Sequence, residues 1–175
     1  MKTINDYIRI IPDFPEQGVV FRDISTIIQD PDGFKLAIDT LQDMIGDLDF
    51  DLIAGAESRG FVFGAPIAYN LHKPLVLIRK KGKLPGRTVS ADYSLEYGSV
   101  STLEMQEGAV SPGQKVLLVD DLLATGATVD AMARLVLQEG GTVAAILVLM
   151  ELKGLKGREF LHAYDVRAAV SYEGK

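Results

Sequence analysis

Apolar residues recur at helical spacing just after the first fifth of the chain. Phe34, Ala37, Ile38, Leu41, Met44 and Ile45 fall at i, i+3, i+4, i+7, i+10 and i+11, which predicts a helix from residue 33 with one buried stripe. The next apolar segments have a different character. DLIAGAES (51–58) and PLVLIRK (74–80) are short runs that predict buried strands. Between them FVFGAPIAYNL (61–71) predicts an apolar helix that Pro66 bends or restarts. STLEMQ (101–106), VLLVDD (116–121), TVAAILVLME (142–151) and VRAAVSYE (166–173) predict four more strands. Val129, Met132, Ala133 and Val136 mark one face of a helix after VLLVDD. Strands alternating with helices in this order predict an α/β fold with a largely parallel sheet flanked by helices.

Two stretches lack a period. Residues 1–32 are punctuated by Pro12, Pro15, Asp30 and Pro31 and predict an irregular appendage with a short helix near 3–10. Residues 80–100 are polar and aperiodic and predict a long loop, which in a compact domain is usually functional or disordered. With 175 residues the chain reads as one domain, 1–32 a hood and 33–175 the core. Ligands of parallel sheets sit beyond the carboxyl ends of the strands. Three such ends carry chemistry: Glu57-Ser58-Arg59, Arg79-Lys80-Lys81 and Asp120-Asp121.

Composition narrows the chemistry. Eighteen Lys and Arg against 24 Asp and Glu leave a net charge of −6, which argues against a nucleic-acid or membrane binder. Residues 79–87 nevertheless hold five cations and no acid, a local patch suited to a small polyanion. There is no cysteine, so disulfides and thiolate chemistry are excluded. His72 and His162 stand far apart and read as structural or surface residues. Without cysteine, a targeting segment or a long uncharged run, the expected location is the cytoplasm.

VLLVDDLLATGAT (116–128) is the most informative segment. A strand delivers Asp120 and Asp121, then the small residues Ala124, Thr125, Gly126, Ala127 and Thr128 open a helix. Small residues let backbone N–H groups approach a ligand, and a helix N-terminus adds orphan donors and partial positive charge. Neither a P-loop nor a GxGxxG fingerprint is present. The two carboxylates repel phosphate but match neighbouring ribose hydroxyls, so the segment suits a ribose 5-phosphate. A plain strand-to-helix turn in an α/β protein is the alternative for a shorter match.

The complete string DDLLATGAT resembles the phosphoribosyl-diphosphate signature of the type I phosphoribosyltransferases, particularly their adenine-specific members. GVVFRDIS (18–25), ESRGFVFG (57–64), IRKKGKLPG (78–86) and YSLEYG (93–98) are similar to further motifs of that family, in the same order. The resemblance covers roughly residues 12–160.

It implies a type I phosphoribosyltransferase fold and transfer of a phosphoribosyl group from phosphoribosyl diphosphate to adenine, giving AMP and diphosphate. It assigns Asp120, Asp121 and residues 124–128 to ribose 5-phosphate. Glu57, Ser58, Arg59, Arg79, Lys80 and Lys83 are assigned to the diphosphate, with a non-proline cis peptide often present in the first of these turns. It implies Mg²⁺ held mainly by substrate and water, with no protein ligand named. Glu96 is implied as manager of the purine proton, with Tyr97 beside it, on a loop that closes over the site. Val20, Phe21 and Arg22 are implied to read adenine, Phe21 and Leu122 sandwiching the ring, and a homodimer is implied. An extended backbone presents a C=O and an N–H in the order adenine needs, whereas 6-oxopurines present the reverse.

Three positions depart from the family pattern. Thr26 stands in place of a usual proline, which predicts a looser hood turn. Ser99 and Val100 replace a commoner charged pair. Two other functions compete: the same chemistry on a 6-oxopurine, and a non-catalytic regulator that binds phosphoribosyl diphosphate and DNA. The FRDIS and LEYG segments oppose the first, and the lack of a DNA-reading module opposes the second.

Overall fold

The computed structural model describes residues 2–94 and 98–174. In chain order its elements begin with a 3₁₀ turn at Ile4–Tyr7, then β1 (Arg9–Pro12), β2 (Val20–Asp23), α1 (Ser25–Gln29) and α2 (Pro31–Asp43). The alternating part follows with β3 (Leu52–Ala56), α3 (Arg59–Leu71) and β4 (Leu75–Lys80). An antiparallel pair comes next, β5 (Thr88–Ser94) and β6 (Val100–Gln106). The chain closes with β7 (Lys115–Leu123), α4 (Ala127–Gln138), β8 (Thr142–Leu152), α5 (Gly157–Phe160) and β9 (Val166–Tyr172).

Seven strands form one sheet in the order β5-β6-β4-β3-β7-β8-β9. The five from β4 to β9 are parallel, and β6 joins β4 antiparallel. β1 and β2 form a separate hairpin. This is the α/β fold the apolar pattern predicts.

β7 shows why its strand lacks polar alternation. Val116 and Leu118 pack with α4, while Leu117 and Val119 pack with α2 and α3. Both faces are covered, so every side chain from Val116 to Val119 must be apolar. Burial at the rate of ~25 cal/mol per Å² makes this two-layer core the main stabilising term.

Four expectations need correction. The helix predicted from residue 33 begins at Pro31. Asp30 is its cap, accepting from the Asp32 and Gly33 amides at 2.9 Å each, and Pro31 takes the first helical position. α3 does not restart at Pro66 but runs unbroken to Leu71, because buried Phe63, Ile67 and Ala68 hold it against the sheet. Residues 80–100 are not one loop: Thr88–Ser94 is a strand whose Val89, Ala91 and Tyr93 point inward. Finally, Thr26 does not loosen the hood. Its hydroxyl donates to the Tyr7 carbonyl at 2.5 Å and ties α1 to the first turn of the chain.

Candidate active site

The carboxyl ends of β3, β4 and β7 meet in a cavity of about 250 Å³. Glu57, Ser58 and Arg59 close one side of it, Lys80 another, and Asp120 to Val129 run along the floor. Residues far apart in sequence are thus brought to one place by parallel register: β3 lies between β4 and β7, with Ala56 opposite Ile78 and Gly55 opposite Val119.

The floor is built from the end of β7. That strand runs through Leu123, two residues beyond the predicted end at Asp121, so Leu122 belongs to the strand and lines the cavity. Gly126 then caps α4 with φ at 90°, a left-handed conformation that glycine adopts without steric cost. The first turn of α4, Ala127 to Val129, lines the cavity together with Thr125, and a helix start carries amides without intrahelical partners.

The two acids differ. Asp120 is buried and accepts the Asp121 amide at 2.8 Å. Burial, and next the charge of Asp121, push its carboxyl well above the ordinary range. Asp121 faces Arg59, whose Nε lies 2.8 Å from its Oδ2.

The peptide between Glu57 and Ser58 is cis. Glu57 accepts from Arg79 Nε at 3.0 Å and from the Lys80 amide at 3.1 Å. Burial opposes ionisation of this carboxyl, but those two donors outweigh it and its pKa is lowered. Arg79 also donates to the Lys83 carbonyl at 3.2 Å. Arg79 and Lys83 therefore stand beside the cavity and brace its rim, whereas Lys80 lines it.

The hood residues are placed separately. Val20 is exposed, and the ring of Phe21 meets that of Phe14 edge to face at 5.1 Å. Arg22 lies over Tyr172. None of the three lines the cavity, and Leu122 does. Glu96 and Tyr97 lie outside the described residues.

A family model for the phosphoribosyl transferase domain matches residues 24–170. An adenine phosphoribosyltransferase of Agathobacter rectalis is 62% identical over 175 residues, the whole of both chains. The chain belongs to the adenine phosphoribosyltransferase family. The crystal structure of the family member from Thermoanaerobacter pseudethanolicus superposes with a TM-score of 0.92 at 47% identity, covering 97% of this chain and 98% of that one. One from Saccharomyces cerevisiae, complexed with an imino-altritol bisphosphate and adenine, gives 0.88 at 36% identity, covering 95% and 96%. Membership makes the protein a pentosyltransferase, and its chemistry the phosphoribosyl transfer of adenine salvage.

Against that family background, several residues that shape the cavity carried no sequence signal of their own. Tyr93 and Leu103 reach it from β5 and β6. Tyr93 stands in the YSLEYG segment, and its inward alternation with Ala91 and Val89 was the available clue. Glu104, buried on β6, accepts the Gly82 amide at 2.9 Å and so fixes the turn after Lys80. Gly157 in α5 packs on the phosphate loop so closely that a β-carbon there would overlap the Ala124 carbonyl oxygen.

Among the described residues no cluster of three His, Asp or Glu side chains is arranged to hold a metal ion. The acids that line the cavity are Glu57, paired with Arg79, and the adjacent Asp120 and Asp121, of which Asp121 is paired with Arg59. Such a site fits a divalent ion carried by substrate oxygens and water rather than a protein cage. No helix among the described residues is long and apolar enough to cross a membrane.

Proposed function

We propose that the protein transfers the 5-phosphoribosyl group of phosphoribosyl diphosphate to adenine, with Mg²⁺ entering on the substrate. The observation that carries this reading is one cavity that joins a helix N-terminus, three acids and two cations. The α4 amides with Thr125 and Thr128 bind the 5-phosphate. Asp120 and Asp121 offer carboxyl oxygens to the ribose hydroxyls. Arg59 and Lys80 receive the diphosphate, Arg59 exchanging its partner Asp121 for substrate oxygens. Mg²⁺, when bound, neutralises part of the charge on the leaving diphosphate.

In the reaction N9 of adenine forms a bond to C1 while the bond from C1 to the diphosphate oxygen breaks. The electron pair leaves with diphosphate, and one purine proton passes to Glu96, with Tyr97 beside it. Val20, Phe21 and Arg22 present the hood backbone to the base edge. This base-reading assignment, like that of Glu96, rests on the family resemblance. Loss of water from the closed site protects an oxocarbenium-like transition state.

The expected homodimer and cytoplasmic location belong to the same proposal. Phe63 is buried and Phe61 half-buried within the single chain, so neither calls for a partner to cover it. Exposed Tyr69 on α3 and Leu77 on neighbouring β4 are the apolar side chains a second copy would cover. Light scattering gives the mass in solution.

The deciding assay measures AMP formed from adenine and phosphoribosyl diphosphate with Mg²⁺, beside hypoxanthine and guanine. The expected result is AMP formation, abolished by chelator and lowered by Glu96→Ala to about 10⁻² or less of its rate. Preference for hypoxanthine would sink the adenine assignment.

A further inference from the structure

The hood hairpin makes its own two-stranded sheet and shares no strand pairing with the main sheet. What sets its position is therefore a small number of side chains. One contact stands out. The Arg22 guanidinium lies 4.0 Å from the centroid of the Tyr172 ring. Tyr172 is the last residue of β9, the edge strand of the main sheet, where it pairs with Leu152. Its hydroxyl donates to Asn5 Oδ1 at 2.5 Å, so the same ring also holds the first turn of the chain. Arg22 Nη1 reaches back to the Val20 carbonyl at 3.4 Å, and its Nε is buried with no hydrogen-bonding partner among the described residues. The ring face is thus the main partner of the half-buried guanidinium, and it links the hairpin to the sheet.

We infer that Tyr172 is a positioning residue for the base: stacked on Arg22, it holds the backbone of Val20, Phe21 and Arg22 at the height where adenine is read. The inference rests on the hood being the base reader. Aligning one backbone edge with adenine requires placement to within a fraction of an ångström, and a strut at the edge of the sheet supplies it.

The test uses the full chain with Tyr172→Leu, Tyr172→Phe, Arg22→Met and the Arg22→Met/Tyr172→Leu pair. Tyr172→Leu is expected to raise the KM for adenine about tenfold, with kcat and the KM for phosphoribosyl diphosphate within about twofold of wild type. Tyr172→Phe keeps the ring and restores the wild-type KM. The double variant is no worse than the worse single one, because both remove one contact. Hydrogen exchange followed by mass spectrometry reads the strut without any substrate: amides 19–23 exchange faster in Tyr172→Leu and as wild type in Tyr172→Phe. Unchanged exchange at 19–23 in Tyr172→Leu overturns the inference. So does an equal rise in both KM values, which marks general damage to the sheet edge. If the wild-type chain makes no AMP while the exchange pattern appears as expected, the function has failed and the strut stands.

Discussion

Arg59 Nε lies 2.8 Å from Asp121 Oδ2, so a cation assigned to the diphosphate neutralises an acid assigned to the ribose. The pair keeps two opposite charges in a cavity that also holds the buried Asp120 and the Arg79-bound Glu57. In the proposed complex substrate takes both partners, which offsets the cost of parting them. Arg59→Gln removes a charged donor to the diphosphate. The KM for phosphoribosyl diphosphate should rise about 10- to 100-fold, the equivalent of one charge-assisted hydrogen bond, while the KM for adenine changes little. Initial-rate kinetics at varied concentrations of each substrate check this.

Thr128 stands in the first turn of α4 and lines the cavity, where the proposed function sets the 5-phosphate. Thr128→Ala should weaken phosphoribosyl diphosphate binding about tenfold, and Thr128→Ser should restore most of it, because the hydroxyl and not the methyl is the donor. Ribose 5-phosphate inhibition constants of the two variants separate the outcomes.

Gly157→Ala drives a methyl group into the Ala124 carbonyl and the Leu123 side chain. The phosphate loop must move or α5 must detach. The expected cost is about 1–3 kcal/mol in urea unfolding, with a raised KM for phosphoribosyl diphosphate. An unchanged KM would show that α5 does not support the loop.

Asp23 links the hood to acid stability. The Ser25 hydroxyl and amide, then Arg9, lower its carboxyl from 3.8 to about 2. A depressed carboxylate contributes stability above the unfolded pKa, and that contribution fades as pH falls from 3.8 toward about 2. Asp23→Asn keeps an acceptor for the Ser25 amide but loses the charge. It should cost on the order of 1–2 kcal/mol at pH 6 and little at pH 2, measured by urea titration at both.

Legibility in the sequence followed the range of the interaction. Segments whose burial is uniform were plain: β7 is apolar because α4 covers one face and α2 and α3 the other. The strand-to-helix turn that lines the cavity was equally plain, since Asp120 to Thr128 are contiguous. Elements made by pairing were not. Thr88–Ser94 alternates polar with apolar residues over only a few positions, and it is a strand because β6 pairs with it and α4 lies over it. Arg134 Nη2 donates there to the Asp92 carbonyl at 2.6 Å.

The sequence by itself thus determined the α/β order and the family. Those rest on periodicity and contiguous motifs, which need no knowledge of the rest of the chain. Only the tertiary structure decided that Arg79 braces Glu57 while Lys80 lines the cavity. It alone set Arg59 on Asp121 and raised Asp120 by burial. Arg22 and Tyr172, 150 positions apart, meet only because β9 ends beside the hood. Charges and rings find partners through space, and in this fold that space is arranged by strand order.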